Sequence, residues 1–146
     1  MVDLESNSWD AARQACLDQG ADLVSIHSAE ESAFVSSLVS DELEWDLAWL
    51  GGTDYATQRT WSWSDGSTWG DWERGGGSWD SDEPSDGYSD TRGREDCMVI
   101  IGAGSRYFDP SRTQWHDTYC TAYAASYDTV GYICKRSGTK HILYPR

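Results

Sequence analysis

Seven carboxylates fall within 17 residues: Asp80, Asp82, Glu83, Asp86, Asp90, Glu95 and Asp96. Such a set cannot pack together without a counter-charge. On composition alone it is a solvated acidic loop. The alternative chemistry is a calcium site, because calcium takes six to eight oxygens from carboxylates, carbonyls, hydroxyls and water. A linear calcium loop does not fit. An EF-hand starting at Asp80 puts Pro84 and Ser85 where Asp/Asn and Gly belong, and Thr91 where Glu belongs. Any calcium site must therefore be assembled from distant segments. Enzymatic motifs are sparse, with no G-x-S-x-G, Walker loop or H-E-x-x-H. His27 lies beside a helix start and His141 in a tail. His116-Asp117 suggests metal-assisted hydrolysis, but a catalytic metal normally takes more nitrogen or sulfur ligands, so no enzyme is expected.

These groups sit in a chain of 146 residues with net charge -14 and a pI near 4.3. That balance argues against a nucleic-acid partner, which needs clustered Lys and Arg. Leu, Ile, Val and Phe number only 21, a disorder signal at this charge. The 9 Trp and 8 Tyr reverse it, since disordered chains are poor in aromatics. No apolar run approaches the ~20 residues of a membrane span. The start, Met1-Val2-Asp3-Leu4-Glu5, has neither the basic nor the apolar part of a signal peptide. Cys16, Cys97, Cys120 and Cys134 form no C-x-x-C. Their even count and wide spacing suit two disulfides and a secreted, extracellular protein, with three pairings open.

The first half is regular. Ser8 caps a helix with Trp9, Ala12 and Cys16 on one face, ended by Gly20. Asp22–His27 is extended. Ser28 and Glu31 form a capping box, followed by a helix with Ala33, Phe34, Val35 and Leu38 inward. Trp49-Leu50-Gly51 is a buried strand, Thr60–Ser64 alternates, and Asp65-Gly66 signals a hairpin turn. From Asp65 to Asp96 aliphatic residues nearly vanish, while Trp69, Trp72 and Trp79 favour an ordered loop. Strands return at Cys97–Ile101, Gln114–His116 and Gly131–Cys134. The order gives an α+β fold in one domain over 1–146, with a core at 8–135 and a tail at 136–146.

Together these pieces resemble the C-type lectin-like domain family. The matching strings are Ser8-Trp9-Asp10-Ala11-Ala12 leading to Cys16, Ala21–Ser28, Trp49-Leu50-Gly51-Gly52, Trp61–Ser67, Glu83-Pro84-Ser85, Glu95-Asp96-Cys97, Trp115-His116-Asp117 and Tyr132-Ile133-Cys134. The resemblance implies two helices packed on small antiparallel sheets, a long calcium-binding loop, and the disulfides Cys16–Cys134 and Cys97–Cys120. It implies a calcium held by Glu83, Ser85, Glu95 and Asp117 beside a cis Pro84, with two vicinal sugar hydroxyls completing the shell. A second calcium would use Asp54, Asp86 and Asp96, shared with Glu95; the fourth usual acid falls on Gln58. A further family site needs an acid where Lys135 stands, so it is expected to be absent.

The chain departs from the family at Ser85, where Asn or Asp is usual, and at His116, where Asn is usual. Asp90 is a possible source of the missing oxygen, and His116 of a hydrogen bond to sugar. Glu-Pro resembles the mannose type. The long, Gly-rich stretch from Glu83 to Cys97 and Tyr88, placed to stack on a sugar face, resemble the galactose type, with Trp79 the alternative stacker. The expected partners are galactose-containing glycans; the alternatives are mannose or fucose, or a protein or ice ligand. With all four cysteines used internally, any homo-oligomer is expected to be non-covalent. A dimer on a denaturing gel that disappears on reduction would contradict this.

Overall fold

The computed structural model describes residues 8–42, 46–91, 93–103, 109, 114–121, 130–136, 138 and 142–143. His141, the start before Ser8 and most of the tail lie outside them. Helix α1 (Trp9–Leu17) begins where the Ser8 hydroxyl accepts the Ala11 amide at 3.1 Å. Its apolar face, Trp9, Ala12 and Cys16, is buried, and the Trp9 indole donates to the Leu50 carbonyl at 2.8 Å. The chain leaves the helix through Gly20, whose φ of 70° suits a residue without Cβ. Strand β1 (Asp22–Leu23) follows.

Helix α2 (Ala29–Ser37) starts at Ser28, which accepts the Glu31 amide at 3.1 Å. Glu31 reaches back to the amide of His27 at 3.2 Å, one residue before the cap. The inward face differs from the sequence expectation. Val35 and Leu38 are buried, but Ala33 is exposed and Phe34 is 58% exposed, while Ser32 and Ser36 face inward. Ser32, Val35, Ser36 and Val39 are spaced as one helical face. The Ser36 hydroxyl is accommodated there because it donates to the Ile101 carbonyl at 2.7 Å. The helix runs on as a π-helical turn, Leu38–Glu42.

The central sheet is organised by β2 (Leu47–Thr53), buried along nearly its whole length. On one edge it pairs antiparallel with β6 (Cys97–Ile101), which pairs antiparallel with β7 (Trp115–Thr118). β3 (Ser62–Trp63) pairs antiparallel and β8 (Val130–Tyr132) parallel with opposite ends of β2. Asp65-Gly66 turns, with Gly66 at φ 80°, but no return strand forms among the described residues. The chain runs instead to the short helix α3 (Asp71–Arg74). Asp65 explains the difference. Its carboxylate accepts the Ser67 amide and hydroxyl and the Ser25 hydroxyl, tying the turn to β1's side of the molecule rather than to a partner strand. β4 (Tyr88–Ser89) and β5 (Gly93–Arg94) make a small ribbon within the long loop. β9 (Cys134–Lys135) lies between β1 and β10 (Ile142–Leu143), so the tail supplies a strand to the sheet joining the chain ends.

Trp115, fully buried, orders the long loop. Trp63, Trp69, Trp72 and Trp79 surround it at centroid distances of 5.3–6.3 Å, three of them edge-on. Each buried indole removes ~150–250 Å² from water, an upper contribution of roughly 4–6 kcal/mol. This replaces the aliphatic core that residues 65–96 lack. Gly77, at φ 50°, lets the loop pass over the ring; a Cβ there would sit 2.6 Å from Trp115 Cζ3. The disulfides are Cys16–Cys134 and Cys97–Cys120, as the family resemblance implies. The first spans 118 residues and contributes roughly 4–5 kcal/mol in the chain-entropy account.

The two neighbouring positions on α2 test the helix phase. Val35→Ala is expected to cost about 2 kcal/mol, whereas Phe34→Ala should stay within about 0.5 kcal/mol. Denaturant unfolding would show the contrast, and equal losses would contradict the observed phase.

Candidate metal centre

Four residues from three segments meet at the end of β7. The Glu83–Pro84 peptide is cis, Glu95 precedes β6, and Asp117 is a buried residue of β7. Ser85 stands between the acids. Its hydroxyl donates to Glu95 Oε2 at 2.9 Å and lies 3.2 Å from Asp117 Oδ1; its amide donates to Asp117 Oδ1 at 2.8 Å and lies 3.3 Å from Glu83 Oε2. Asp117 also accepts the Asp86 amide at 2.6 Å, and its own amide donates to Glu83 Oε2 at 3.3 Å. Gly87 was not singled out from sequence, although its place in the loop depends on having no side chain. Its amide donates to Glu95 Oε2 at 3.0 Å, and a Cβ would collide with that carboxylate. The Asp86-Gly87 dipeptide, a turn signal, was the available clue.

A second cluster adjoins the first through Asp86, whose amide is held by Asp117. Carboxylate oxygens of Asp54, Asp86 and Asp96 all fall within 4.8 Å of one another. Asp54 Oδ1 is buried and accepts no hydrogen bond. Gln58 donates its amide to Asp96 Oδ1 at 2.5 Å, and Glu95 is turned away toward Ser85 and Gly87. Arg59 Nε lies 3.2 Å from Asp86 Oδ2, and an Arg94 guanidinium nitrogen 3.5 Å from Oδ1. Neither arginine was foreseen; Arg59 is 27 residues from Asp86 in sequence.

His116 faces carboxylates. Its Nε2 lies 3.2 Å from Asp80 Oδ2 and its Nδ1 3.7 Å from Glu83 Oε1. Asp80 is thus a buried partner that sequence placed only within the acidic run. Asp82 and Asp90 are exposed, Asp90 at the tip between β4 and β5. Tyr88 is 65% exposed, with the Arg94 guanidinium carbon 5.9 Å from its ring centroid. Trp79 packs edge-on to Trp61 at 4.7 Å and to Trp115. Where the family resemblance looks for an acid, the Lys135 ammonium instead donates to Ser25 O at 3.0 Å and Glu31 Oε1 at 2.7 Å.

His27 joins Glu73 (2.6 Å) and the Ser67 hydroxyl (3.1 Å), the linkage of a serine-hydrolase triad. Ser67, however, makes a shorter 2.5 Å bond to Asp65, so its proton is directed to a carboxylate and not to the imidazole. The arrangement ties α2's start to the turn and to α3.

Electrostatics separates these acids. Burial, and then the neighbouring Asp117, push the Glu83 carboxyl up to about 8. Burial raises Asp54 to about 6, and Asp96 and Asp86 add to it against the Arg59 amide. Asp65 and Glu73 are held low despite burial. Ser25 and Ser67 outweigh it for Asp65; for Glu73 a backbone amide, His27 and Trp63 do.

The chain belongs to the C-type lectin domain family, whose "Lectin C-type domain" description matches residues 5–136. It is 34% identical to human (Homo sapiens) C-type mannose receptor 2 over 92% of this chain and 7% of that protein. It is also 34% identical to ladderlectin of Oncorhynchus mykiss, over 79% of this chain and 53% of that protein. The chain therefore spans a small fraction of the first relative and about half of the second. The cow C-type carbohydrate-recognition domain of CD23, determined in the presence of a GlcNAc2Man3 oligosaccharide, has the same fold. It matches at TM-score 0.62 and 24% identity, over 95% of this chain and 81% of that one. Herring type II antifreeze protein matches at TM-score 0.54 and 33% identity, over 79% and 76%. No helix among the described residues is long and apolar enough to cross a membrane.

Folded-state values above the ordinary range mean that the native protein holds extra protons from about pH 4 upward. The stability Asp54 and Glu83 contribute is complete below their unfolded values and is lost as pH rises through about 6 and about 8. Asp65 and Glu73 act in the opposite sense, and only at lower pH. Metal-free protein in chelator is therefore expected to melt at lower temperature at pH 8 than at pH 5.5. Glu83→Gln should flatten that slope; a flat wild-type profile would contradict it.

Proposed function

We propose that this single domain is a calcium-dependent carbohydrate-binding protein whose ligand is the terminal galactose of lactose-type glycans. One observation carries the reading: Glu83, Ser85, Glu95 and Asp117 converge with only amides and one hydroxyl between them, and Glu83 is driven to hold a proton up to about 8. Carboxylates so placed favour a cation. An all-oxygen donor set fits a hard ion such as calcium and not zinc. His116 lies between Asp80 and Glu83, and an imidazole is a poor match for a hard cation, which supports a contact to sugar or a structural role rather than a metal bond. The Asp54, Asp86 and Asp96 group, with its unpartnered Asp54 oxygen, fits a second ion.

Bound calcium supplies a Lewis-acid anchor for two vicinal sugar hydroxyls. The chain's own groups orient the ring. Glu83 and Glu95 accept hydroxyl protons, and Ser85 keeps the two acids apart. Tyr88 supports the galactose choice. A tyrosine anchoring its loop would be buried, whereas this one is mostly exposed, fixed by β4–β5 pairing and backed by Arg94. The apolar face of galactose matches such a ring. The mannose-type alternative draws on Glu83-Pro84, and an ice-binding alternative on the likeness to the herring antifreeze protein. Two disulfides suit a secreted, extracellular setting. Millimolar single-site affinity would call for a non-covalent oligomer to gain avidity.

Methyl galactoside is expected to bind with Kd on the order of 1 mM, about -4 kcal/mol, in calcium only. Protein on immobilised galactose should elute with lactose or chelator. Elution by mannose and not lactose would overturn the sugar choice, and retention in chelator would overturn calcium dependence. Glu95→Gln should abolish calcium binding while the melting curve stays cooperative. Tyr88→Ala should weaken galactose several-fold, by the 0.5–1.5 kcal/mol of an aromatic contact, and leave calcium affinity unchanged.

A further inference from the structure

Beside the four-residue centre lies a groove of about 760 Å³ whose walls include Trp61, Trp69 and Trp79, with Thr60 and Ser81 exposed on its rim. A smaller cavity of about 290 Å³ borders Ser85 and Asp86, and the two share Arg59, Trp61 and Pro84. The groove therefore meets the four-residue centre at Glu83 and, apart from Pro84 beside it, is lined by residues outside that centre. We propose that it binds the next two or three rings of a neutral, galactose-terminated oligosaccharide, a subsite that rests on the carbohydrate reading above and extends it.

The lining argues for a neutral saccharide. Trp69 and Trp79 are only partly buried. Both pack against Trp115, at centroid distances of 6.3 and 5.8 Å, Trp69 also against Trp63 at 5.0 Å and Trp79 against Trp61 at 4.7 Å, and both contribute surface to the groove. Pyranose rings present a C–H face to such indoles, and their edges need hydroxyl partners like those on the rim. Of the charged groups on the lining, Glu83 belongs to the proposed ion site, and the others already have partners. Arg59 pairs with Asp86, and Arg74 with Asp71 and the Trp69 carbonyl. Glu73 pairs with His27 and Asp80 with His116. Neither a sulfate nor an ammonium ligand would find an uncommitted counter-charge. The chain's net charge of -14 further disfavours an anion.

The test compares methyl β-galactoside with lacto-N-neotetraose on the full chain in saturating calcium chloride, by calorimetry. The tetrasaccharide is expected to bind about tenfold tighter, as two aromatic contacts would give. Trp79→Ala would disturb the core, so the blocking variant is Thr60→Arg, on the exposed rim. It should reduce the chain-length gain to less than about threefold and leave methyl β-galactoside affinity unchanged. Indole N–H signals of Trp69 and Trp79 should shift with the tetrasaccharide and not with the monosaccharide. Equal affinities in the wild type, or a full gain retained by Thr60→Arg, would overturn the subsite while leaving the galactose reading intact. If methyl β-galactoside does not bind, that reading fails, and the comparison is repeated with methyl α-mannoside and mannotriose. A chain-length gain there supports the groove and equal affinity overturns it. No binding to any saccharide overturns both.

Discussion

The carboxylate of Asp117 fastens the long loop to the sheet. It accepts the amides of Ser85 and Asp86, and its own amide is directed to Glu83. Each such charge-assisted bond is stronger than a neutral one. The same contacts place Glu83, Asp117 and Glu95 around one serine. Two carboxylates 4 Å apart repel by about 4 kcal/mol at an effective dielectric near 20. Loop attachment and acid crowding are therefore one arrangement: the bonds that order the loop concentrate negative charge at its root. Glu83, partly buried and beside Asp117, responds by keeping its proton.

Several acids elsewhere in the molecule are treated differently. Glu31 has Lys135, Asp22 has Arg13, Glu73 has His27 and Asp80 has His116. Each of these contacts lies within the chain, the two histidine pairs being ionic only when the ring is protonated. At the root of the loop the pairing changes: Glu95 is met by Ser85 and Gly87, Asp96 by Gln58, and Asp117 by backbone amides. Such dipoles stabilise an anion without neutralising it. Asp86 is intermediate, with two arginines that are themselves substantially exposed and therefore screened by solvent. The contrast between acids met by a Lys, Arg or His nitrogen within 3.2 Å and acids met only by dipoles marks the proposed ion site more sharply than the number of acids does. Lys135 illustrates it, since one ammonium serves both a carbonyl and a carboxylate.

Much of the architecture was legible because local chemistry dictated it. Ser8 and Ser28 cap their helices, and the loop tryptophans signalled order where aliphatics were missing. The pairing of the cysteines and the grouping of Asp54 with Asp86 and Asp96 were legible only through the family resemblance, because nothing in their spacing selects one arrangement. The phase of α2 was misread because Phe34 is the bulkier apolar residue, yet the helical repeat follows Ser32 and Ser36; the Ile101 carbonyl accepts the Ser36 proton, while the Ser32 hydroxyl is buried without a hydrogen-bond partner. The Asp65-Gly66 turn was recognised, but its destination depends on Ser25, 40 residues away. The Asp80–His116 and Arg59–Asp86 pairs were hidden for the same reason: ion pairs between distant segments leave no periodic trace.

Trp115 links the two halves of this picture. Its ring is wholly buried, and the loop's tryptophans are ordered by packing on it. A side chain that orders a loop from one side and remains partly exposed on the other cannot be optimised for a single task. The indoles of Trp69 and Trp79 must stay packed on Trp115 whatever lies in the groove, so the groove's shape is set by core packing and not by a flexible surface. A wall built this way loses little conformational entropy when a ligand is seated. The same coupling requires Gly77 to stay without a side chain, since displacing Trp115 would shift both the support of the groove and the strand that carries Asp117.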